Sequence, residues 1–442
     1  MTKAFLHVQG LDFVADGEKI VFRGFGVGNF LNLEHFMIGL PGNESQIRQA
    51  ICDVYGEENA RRFWSKYQAC YLGEADFQFM QSIGVNVIRI PFNYHIFESD
   101  QMPYQYNRDG FAPIDRVLAL CEKYRIYAIL DLHAAPGGQN PDWHCDNPIG
   151  ENLFWAQADY RKRVISLWRF IAEHYRENPW VGAYDLMNEP VCAGYYSPEM
   201  VPEFFNELRK NVREVDPNHL IFLEGDTYSR DFSQYKLCTD SNVAYTFHYY
   251  AFFEKDVLAG PGQMEKTEEA IFRGITLDYI REKLQRPVWC GETGIPMNQG
   301  EVERYESLLR DTLKIYEKHG ISWTLWCFKD ARSMGTVMPQ KDAPWMKFSE
   351  RAVGNWDFWK NFNDWSEVDR LSEKFGTELS PELRRKIHFR NQASQQLLLA
   401  ERFRRLLREI PFEEFITYPE SFLFERCETW SALVEMVKEF TK

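Results

Sequence analysis

No stretch of this chain approaches the roughly 18 consecutive apolar residues that a membrane-spanning helix needs. The opening segment, Met1 to Gly10, holds no apolar run of signal-peptide length, so the sequence reads as that of a cytoplasmic protein. Positive charge is in deficit: 51 Lys and Arg against 65 Asp and Glu leave a net charge of −14. A field of that sign repels phosphate backbones and anionic headgroups, so neither nucleic acid nor membrane is an expected partner. Cysteine is sparse and odd in number, nine in all, without a Cys-x-x-Cys pair. Two of the nine, Cys290 and Cys327, sit in apolar runs, a pattern of reduced structural thiols. There is no Pro/Gly/Ser-rich linker and no repeat at a solenoid period. One catalytic domain over 1–442 is therefore expected, with its core at about 19–330 and lid and final helices at about 331–442.

Aromatic residues are abundant: 34 Phe, 22 Tyr and 13 Trp make 16% of the chain. Much of this is core filler, yet 13 Trp leave enough for flat platforms in a cleft, which suits sugar rings. Short apolar runs alternate with longer amphipathic ones. The runs Ile20–Phe25, Val85–Ile90, Ile126–Leu132, Gly182–Met187, Leu220–Leu223, Val243–Phe247, Pro287–Cys290 and Ile321–Trp326 read as strands. Between them lie helical patterns at Gly73–Ser82, Pro113–Tyr124, Ala158–Glu177, Pro198–Val215, Met264–Leu284 and Val302–His319. Strand–helix alternation repeated about eight times predicts parallel strands with right-handed crossovers, closed into a (β/α)₈ TIM barrel. Two segments exceed the barrel's needs. A partly helical insertion runs from about Met37 to Tyr71. A tail of roughly a hundred residues carries Trp345, Trp356, Trp359 and Trp365. It ends in an amphipathic pattern with Ala393, Leu397, Ala400, Phe403 and Leu407 on one face. The tail is expected to pack on the barrel, supplying its last helix and a lid.

In such a barrel, residues at the C-terminal ends of strands line the active-site mouth. Asn188-Glu189-Pro190 follows the fourth run and Glu292 follows the seventh. Two carboxylates facing across a cleft are what glycoside hydrolysis requires, one as acid and one as nucleophile or base. Each also has a bland reading: Glu189 as a helix N-terminal residue, Glu292 as an ion-paired rim residue.

The ordered set of motifs resembles glycoside hydrolase family 5, the cellulase-like family, and its first two-thirds is similar to the exo-β-1,3-glucanase branch. The motifs are Arg23 to Glu34, Arg89-Ile90-Pro91 with Tyr94, Asp131-Leu132-His133 followed by Pro136-Gly137-Gly138-Gln139-Asn140, Asn188-Glu189-Pro190, His248 with Tyr250, Gly291-Glu292 and Trp326. The resemblance implies Glu189 as general acid/base and Glu292 as nucleophile. Arg89 and Tyr250 would hold the nucleophile ionised, and Asn188 would bind the sugar 2-hydroxyl. His133 and His248 would line the floor, Trp326 would stack on the sugar, and Glu34 would accept hydrogen bonds from distal hydroxyls. Core packing remains open for Trp326 and for both histidines. Cys327-Phe328-Lys329-Asp330 departs from the exo-glucanase pattern, which leaves glucose and mannose both open at the reacting position. The expected substrate is a short β-linked oligosaccharide or glycoside, attacked from its end, with no cofactor or metal. An endo-acting glucanase or mannanase is the alternative within the family. More remote are a metal-dependent hydrolase using His133, Asp142, His144, Cys145 and Asp146, and a non-catalytic sugar-binding module. Oligomeric state is not legible.

Overall fold

The computed structural model describes residues 4–258, 263–297, 300–357, 360–361 and 364–441. Trp359 lies outside them. Eight parallel strands close into a barrel: β1 (Arg23–Gly26), β2 (Val87–Asn93), β3 (Tyr127–Ala134), β4 (Val181–Asp185), β5 (Leu220–Glu224), β6 (Val243–His248), β7 (Val288–Thr293) and β8 (Ser322–Trp326). Each pairs with its sequence neighbours, and β8 returns to β1 through Trp323 opposite Arg23 and Trp326 opposite Gly26. The expected (β/α)₈ barrel is present, and each of the eight sequence runs overlaps one strand. The first run is the least accurate. Ile20 belongs instead to a three-stranded antiparallel meander (His7–Gln9, Asp12–Ala15, Glu18–Ile20) that the sequence reading did not separate from β1.

Alternation along the strands explains how the barrel holds a site. Side chains two residues apart share a face. At the N-terminal end the inward positions are Phe22, Val87, Tyr127, Ile129, Ala183, Leu220, Phe222, Ala244 and Trp289, forming one apolar plug with Leu6 and Phe13 of the meander. Two residues further along the same faces stand Arg89, Asp131, Asp185, Glu224 and Thr246, all buried. Above them come His133, His248 and Trp326. The interior thus changes from hydrocarbon to charge along one barrel axis.

The helix Val302–His319 matches its predicted span, ending at Gly320 in the left-handed conformation. Its buried face is Leu308, Leu309, Thr312, Leu313 and Tyr316. The predicted Met264–Leu284 helix is broken into short α and π segments, starting at Gln263–Glu269 and ending at Ile280–Leu284. The insertion folds as two helices, Glu44–Tyr55 and Glu57–Tyr71. In the tail, Ser380 caps a 27-residue helix, Pro381–Leu407, by accepting a hydrogen bond from the Leu383 amide at 3.2 Å. That helix packs along Glu44–Tyr55 and buries Ala393, Ala400, Phe403 and Leu407. Leu397, expected on the same face, is 62% exposed. The buried stripe runs Ala393, Gln396, Ala400, Phe403, Leu407 at alternating three- and four-residue spacing, so Leu397 falls at its edge and Gln396 takes the inward place, accepting from the Gly42 amide at 3.0 Å. The final helix, Ser431–Thr441, packs on β1 and Val302–His319, and Thr441 donates to the Ile83 carbonyl at 2.6 Å. It fills the eighth helical position of the ring, as expected of the tail. No helix among the described residues is long and apolar enough to cross a membrane.

The departure at Lys329 is structural. Its ammonium is fully buried, 2.5 Å from Asp76 Oδ1, and donates to the carbonyls of Tyr71 and Phe422. One cation therefore ties the strand-8 loop to the insertion and the tail. Asp330 accepts from the amides of Ser333 and Met334 and shapes the same loop.

Candidate active site

Arg89, on β2, is the centre of the charged layer. Its guanidinium donates to Asp185 at 2.9 Å, to Glu292 Oε1 at 2.5 Å, to Asn188 Oδ1 at 2.7 Å and to Glu224 Oε1 at 3.2 Å. Asp131 lies 3.1 Å from the same group. Burial alone would lower the Arg89 pKa, but the surrounding carboxylates raise it well above the ordinary value, so it stays charged. The carboxylates outnumber it, and burial pushes Asp131 and Asp185 up to about 7. The sequence reading does not single out Asp185 and Glu224. The rule that selected Glu292, an acidic residue at the end of a barrel strand, applied to both.

Glu292 would face outward if β7 kept strict alternation from Trp289. The pairing register shifts between Cys290 and Thr293, and this bulge turns Glu292 into the barrel. Gly291 makes that path possible, since a Cβ there would lie 2.5 Å from Thr246 Oγ1 and 2.9 Å from His248 Nε2. Tyr250 donates to Glu292 Oε2 at 2.8 Å. Burial pushes Glu292 up, but His248 and Arg89 outweigh it and hold the carboxylate below its ordinary range. Tyr250 moves up with burial and the Glu292 charge, so it remains a donor.

Glu189 sits in the left-handed region, φ +47°, pinned from both sides. Its amide donates to Glu224 Oε2 at 2.6 Å and its carbonyl accepts from Asn140 at 2.9 Å. The side chain meets His248 Nδ1 at 2.7 Å and His144 Nε2 at 3.2 Å. Burial would raise this carboxyl, but hydrogen bonds to His144 and His248 hold it well below the ordinary range. His144 answers in the opposite sense. Burial pulls it down, yet the hydrogen bond to Glu189 and the charges of Glu189, Asp142 and Glu34 lift it to about 9. The two shifts share one cause, an ion pair in which the proton rests on the histidine. The sequence reading names His144 only within the metal-dependent alternative.

The remaining predicted residues converge on the same cavity, of about 500 Å³. His133 bonds Asp131 at 2.7 Å, lies parallel to the Trp326 indole with ring centroids 5.4 Å apart, and approaches Glu34 at 3.7 Å. Trp326 has room because Gly26, at the end of β1, and Gly28, two residues beyond it, face the indole. A Cβ on either would come within 2.5 and 2.8 Å of the indole. Trp326 is thus both packed and pocket-lining. Glu34 differs from expectation in charge: burial first, then Glu292 and Glu189, raise its pKa to about 8, so at neutral pH it is a carboxylic acid that can donate. The alternative metal set is not assembled. Cys145 donates to the carbonyls of Asn140 and Asp142, and Asp146 accepts from Ser45 and Asn93.

A carboxylate oxygen of Glu189, a ring nitrogen of His248 and a carboxylate oxygen of Glu292 all lie within 4.8 Å of one another. Retaining glycosidases hold their carboxyl groups about 5–5.5 Å apart, whereas inverting ones need about 6.5–9.5 Å to admit a water. A closed (β/α)₈ barrel with this pair at its mouth has the architecture of a retaining glycoside hydrolase. The chain belongs to glycosyl hydrolase family 5: the family's Cellulase model matches residues 44–332. It is 37% identical over 361 residues to a β-xylosidase of Phanerodontia chrysosporium, covering 78% of this chain and 74% of that one. A probable glucan 1,3-β-glucosidase A of Aspergillus clavatus is 26% identical over 260 residues, 58% of this chain and 61% of that one. Among solved structures, a hyperthermophilic endo-β-1,4-glucanase in complex with substrate shares the fold at TM-score 0.53 and 17% identity, covering 74% of this chain and 96% of that one.

Proposed function

We propose that the protein hydrolyses β-glycosides by double displacement, with Glu292 as nucleophile and Glu189 as acid/base. The distance between the two carboxylates carries this reading, together with their unequal partners: Arg89 and Tyr250 on one, two histidines on the other. In the first step Glu292 Oε2 attacks the anomeric carbon while Glu189 passes a proton to the departing glycosidic oxygen. The proton of the Glu189–His144 pair rests on the histidine, so for this step it passes across the 3.2 Å contact from His144 to Glu189. Asn188, held by Arg89, presents its amide to the 2-hydroxyl, where a hydrogen bond strengthens as positive charge develops on the ring. In the second step Glu189, now a base, activates water to release the sugar with its β configuration restored.

End-wise attack on short β-linked substrates is the form of the reaction best supported. Glu34 lines the cavity together with the catalytic pair, and Trp365, Arg385 and Phe389 of the tail line it as well. The β-xylosidase and 1,3-β-glucosidase relatives also favour release of single sugars. A panel of 4-nitrophenyl β-glucoside, β-mannoside and β-xyloside, with NMR of the first product, tests the reading. One of them should give the β anomer first. An α anomer first, or an early fall in viscosity of long glucans before monosaccharide appears, would contradict it.

A further inference from the structure

The polar groups of the cavity gather at its floor. Glu34, His133, His144, Glu189, His248 and Glu292 occupy the end where the sugar reacts. Above them the lining changes character. Phe252 and Phe253, from the loop after β6, form one wall, and Phe253 is 49% exposed at the rim. Trp143 and Phe36 form another, with Trp365 and Phe389 reaching in from the tail. These outer residues are aromatic, and the walls come from chain segments far apart in sequence. Of the two outer cations, Arg230 is engaged with Glu254, and Arg385 has no ion pair among the described residues.

We propose, on the basis of the glycosidase reading, that the space beyond the scissile bond accepts a flat apolar aglycone, aryl or polycyclic, in preference to a second sugar. A sugar stacks on an aromatic through its C–H face, but its equatorial hydroxyls point outward at the edges and need polar partners there. An unpaired hydroxyl against hydrocarbon is costly. Besides the two arginines, the other polar lining residues are already engaged, Tyr228 donating to Asp142 at 2.6 Å and Tyr250 to Glu292 at 2.8 Å, while aromatic side chains make up much of the remaining lining. A fused-ring aglycone meets such walls with apolar area on both faces and leaves no polar group unsatisfied. The tail, which the barrel does not need for its chemistry, acquires a role: Trp365 and Phe389 shape specificity from outside the catalytic ring.

Leaving-group acidity would confound a comparison of phenyl with alkyl glycosides. The test therefore uses alcohols of similar acidity on the best-accepted sugar: methyl, benzyl and 2-naphthylmethyl β-glycosides, against the corresponding disaccharide. The expected kcat/KM rises roughly tenfold or more from methyl to benzyl and again to naphthylmethyl, which exceeds the disaccharide, the scale of burying one further ring face. In Phe253→Ala and Trp365→Ala, the naphthylmethyl-to-methyl ratio should shrink by about tenfold. Preference for the disaccharide, or an unchanged ratio in both variants, overturns the aglycone assignment while leaving the glycosidase reading intact. Failure of the wild-type protein to cleave any of the four compounds would instead defeat the glycosidase reading, and this proposal with it.

Discussion

Glu34 offers the sharpest perturbation. Moving its carboxyl from 4.5 to about 8 makes ionisation about 5 kcal/mol harder inside the fold than in water, at about 1.4 kcal/mol per pH unit. The cause is burial beside two other carboxylates, so Glu34→Gln, a neutral group of the same shape, should remove the effect while keeping a donor toward the sugar. Two readouts follow. Between pH 4.5 and about 8 the folded protein keeps a proton that the unfolded chain has lost, so this residue's contribution to stability declines as pH rises through that window. Asp131 and Asp185 contribute slopes of the same sign, so the informative quantity is the difference between wild type and variant in denaturant midpoint across pH. In kinetics, ionisation of Glu34 near pH 8 places a third negative charge against Glu189 and Glu292. The wild-type kcat/KM should fall there, and in Glu34→Gln the basic limb should move up toward the range of His144, near 9. At pH 6 the Gln variant should keep most of its activity, whereas Glu34→Ala should lose roughly ten- to a hundred-fold. A Gln variant with the wild-type basic limb, or one as impaired at pH 6 as the Ala variant, would refute the neutral-acid reasoning.

Other expectations concern different parts of the molecule. Glu189→Ala should spare substrates with acidic leaving groups and be rescued by azide as the β-glycosyl azide; an α-glycosyl azide would mean the two glutamates have exchanged roles. Lys329→Ala leaves Asp76 buried without its cation and frees two carbonyls, so unfolding should become easier by about 3–5 kcal/mol. A change in denaturant midpoint corresponding to less than about 1 kcal/mol would contradict its role as a tie. Gly26→Ala should displace the Trp326 indole, and the transition-state free energy lost in kcat/KM should exceed the loss of folding stability from a denaturant melt; a stability loss equal to or larger than the kinetic one would contradict this.

Much of this was legible in the chain, and the limits have physical causes. The barrel strands are buried on both faces, so they stand out as short apolar runs, and Val302–His319 declares itself by a clean helical stripe and a terminal glycine. Strand ends then located Glu189 and Glu292. Three kinds of information were hidden. The bulge that turns Glu292 inward leaves no mark in a strict two-residue alternation. Asp185 and Glu224 lie inside or at the edge of apolar runs, and only the position of Arg89 in space shows what they serve. His144 meets Glu189 at 3.2 Å, and no sequence spacing connects the two. The pattern Met264–Leu284 looked like one helix because the π segments preserve its apolar positions. Leu397 falls at the edge of its helix's stripe because the polar Gln396, one residue before it, holds the inward place.

The central claim is that Glu292 forms the covalent bond to the sugar. A 2-deoxy-2-fluoro β-glycoside with a good leaving group slows the second step and traps the intermediate. Digestion and mass spectrometry of the inactivated protein should place one fluoroglycosyl group on the peptide containing Gly291-Glu292-Thr293, with none in Glu292→Ala. Label on Glu189, Glu224 or any other residue, or rapid turnover to an inverted product without labelling, would contradict it.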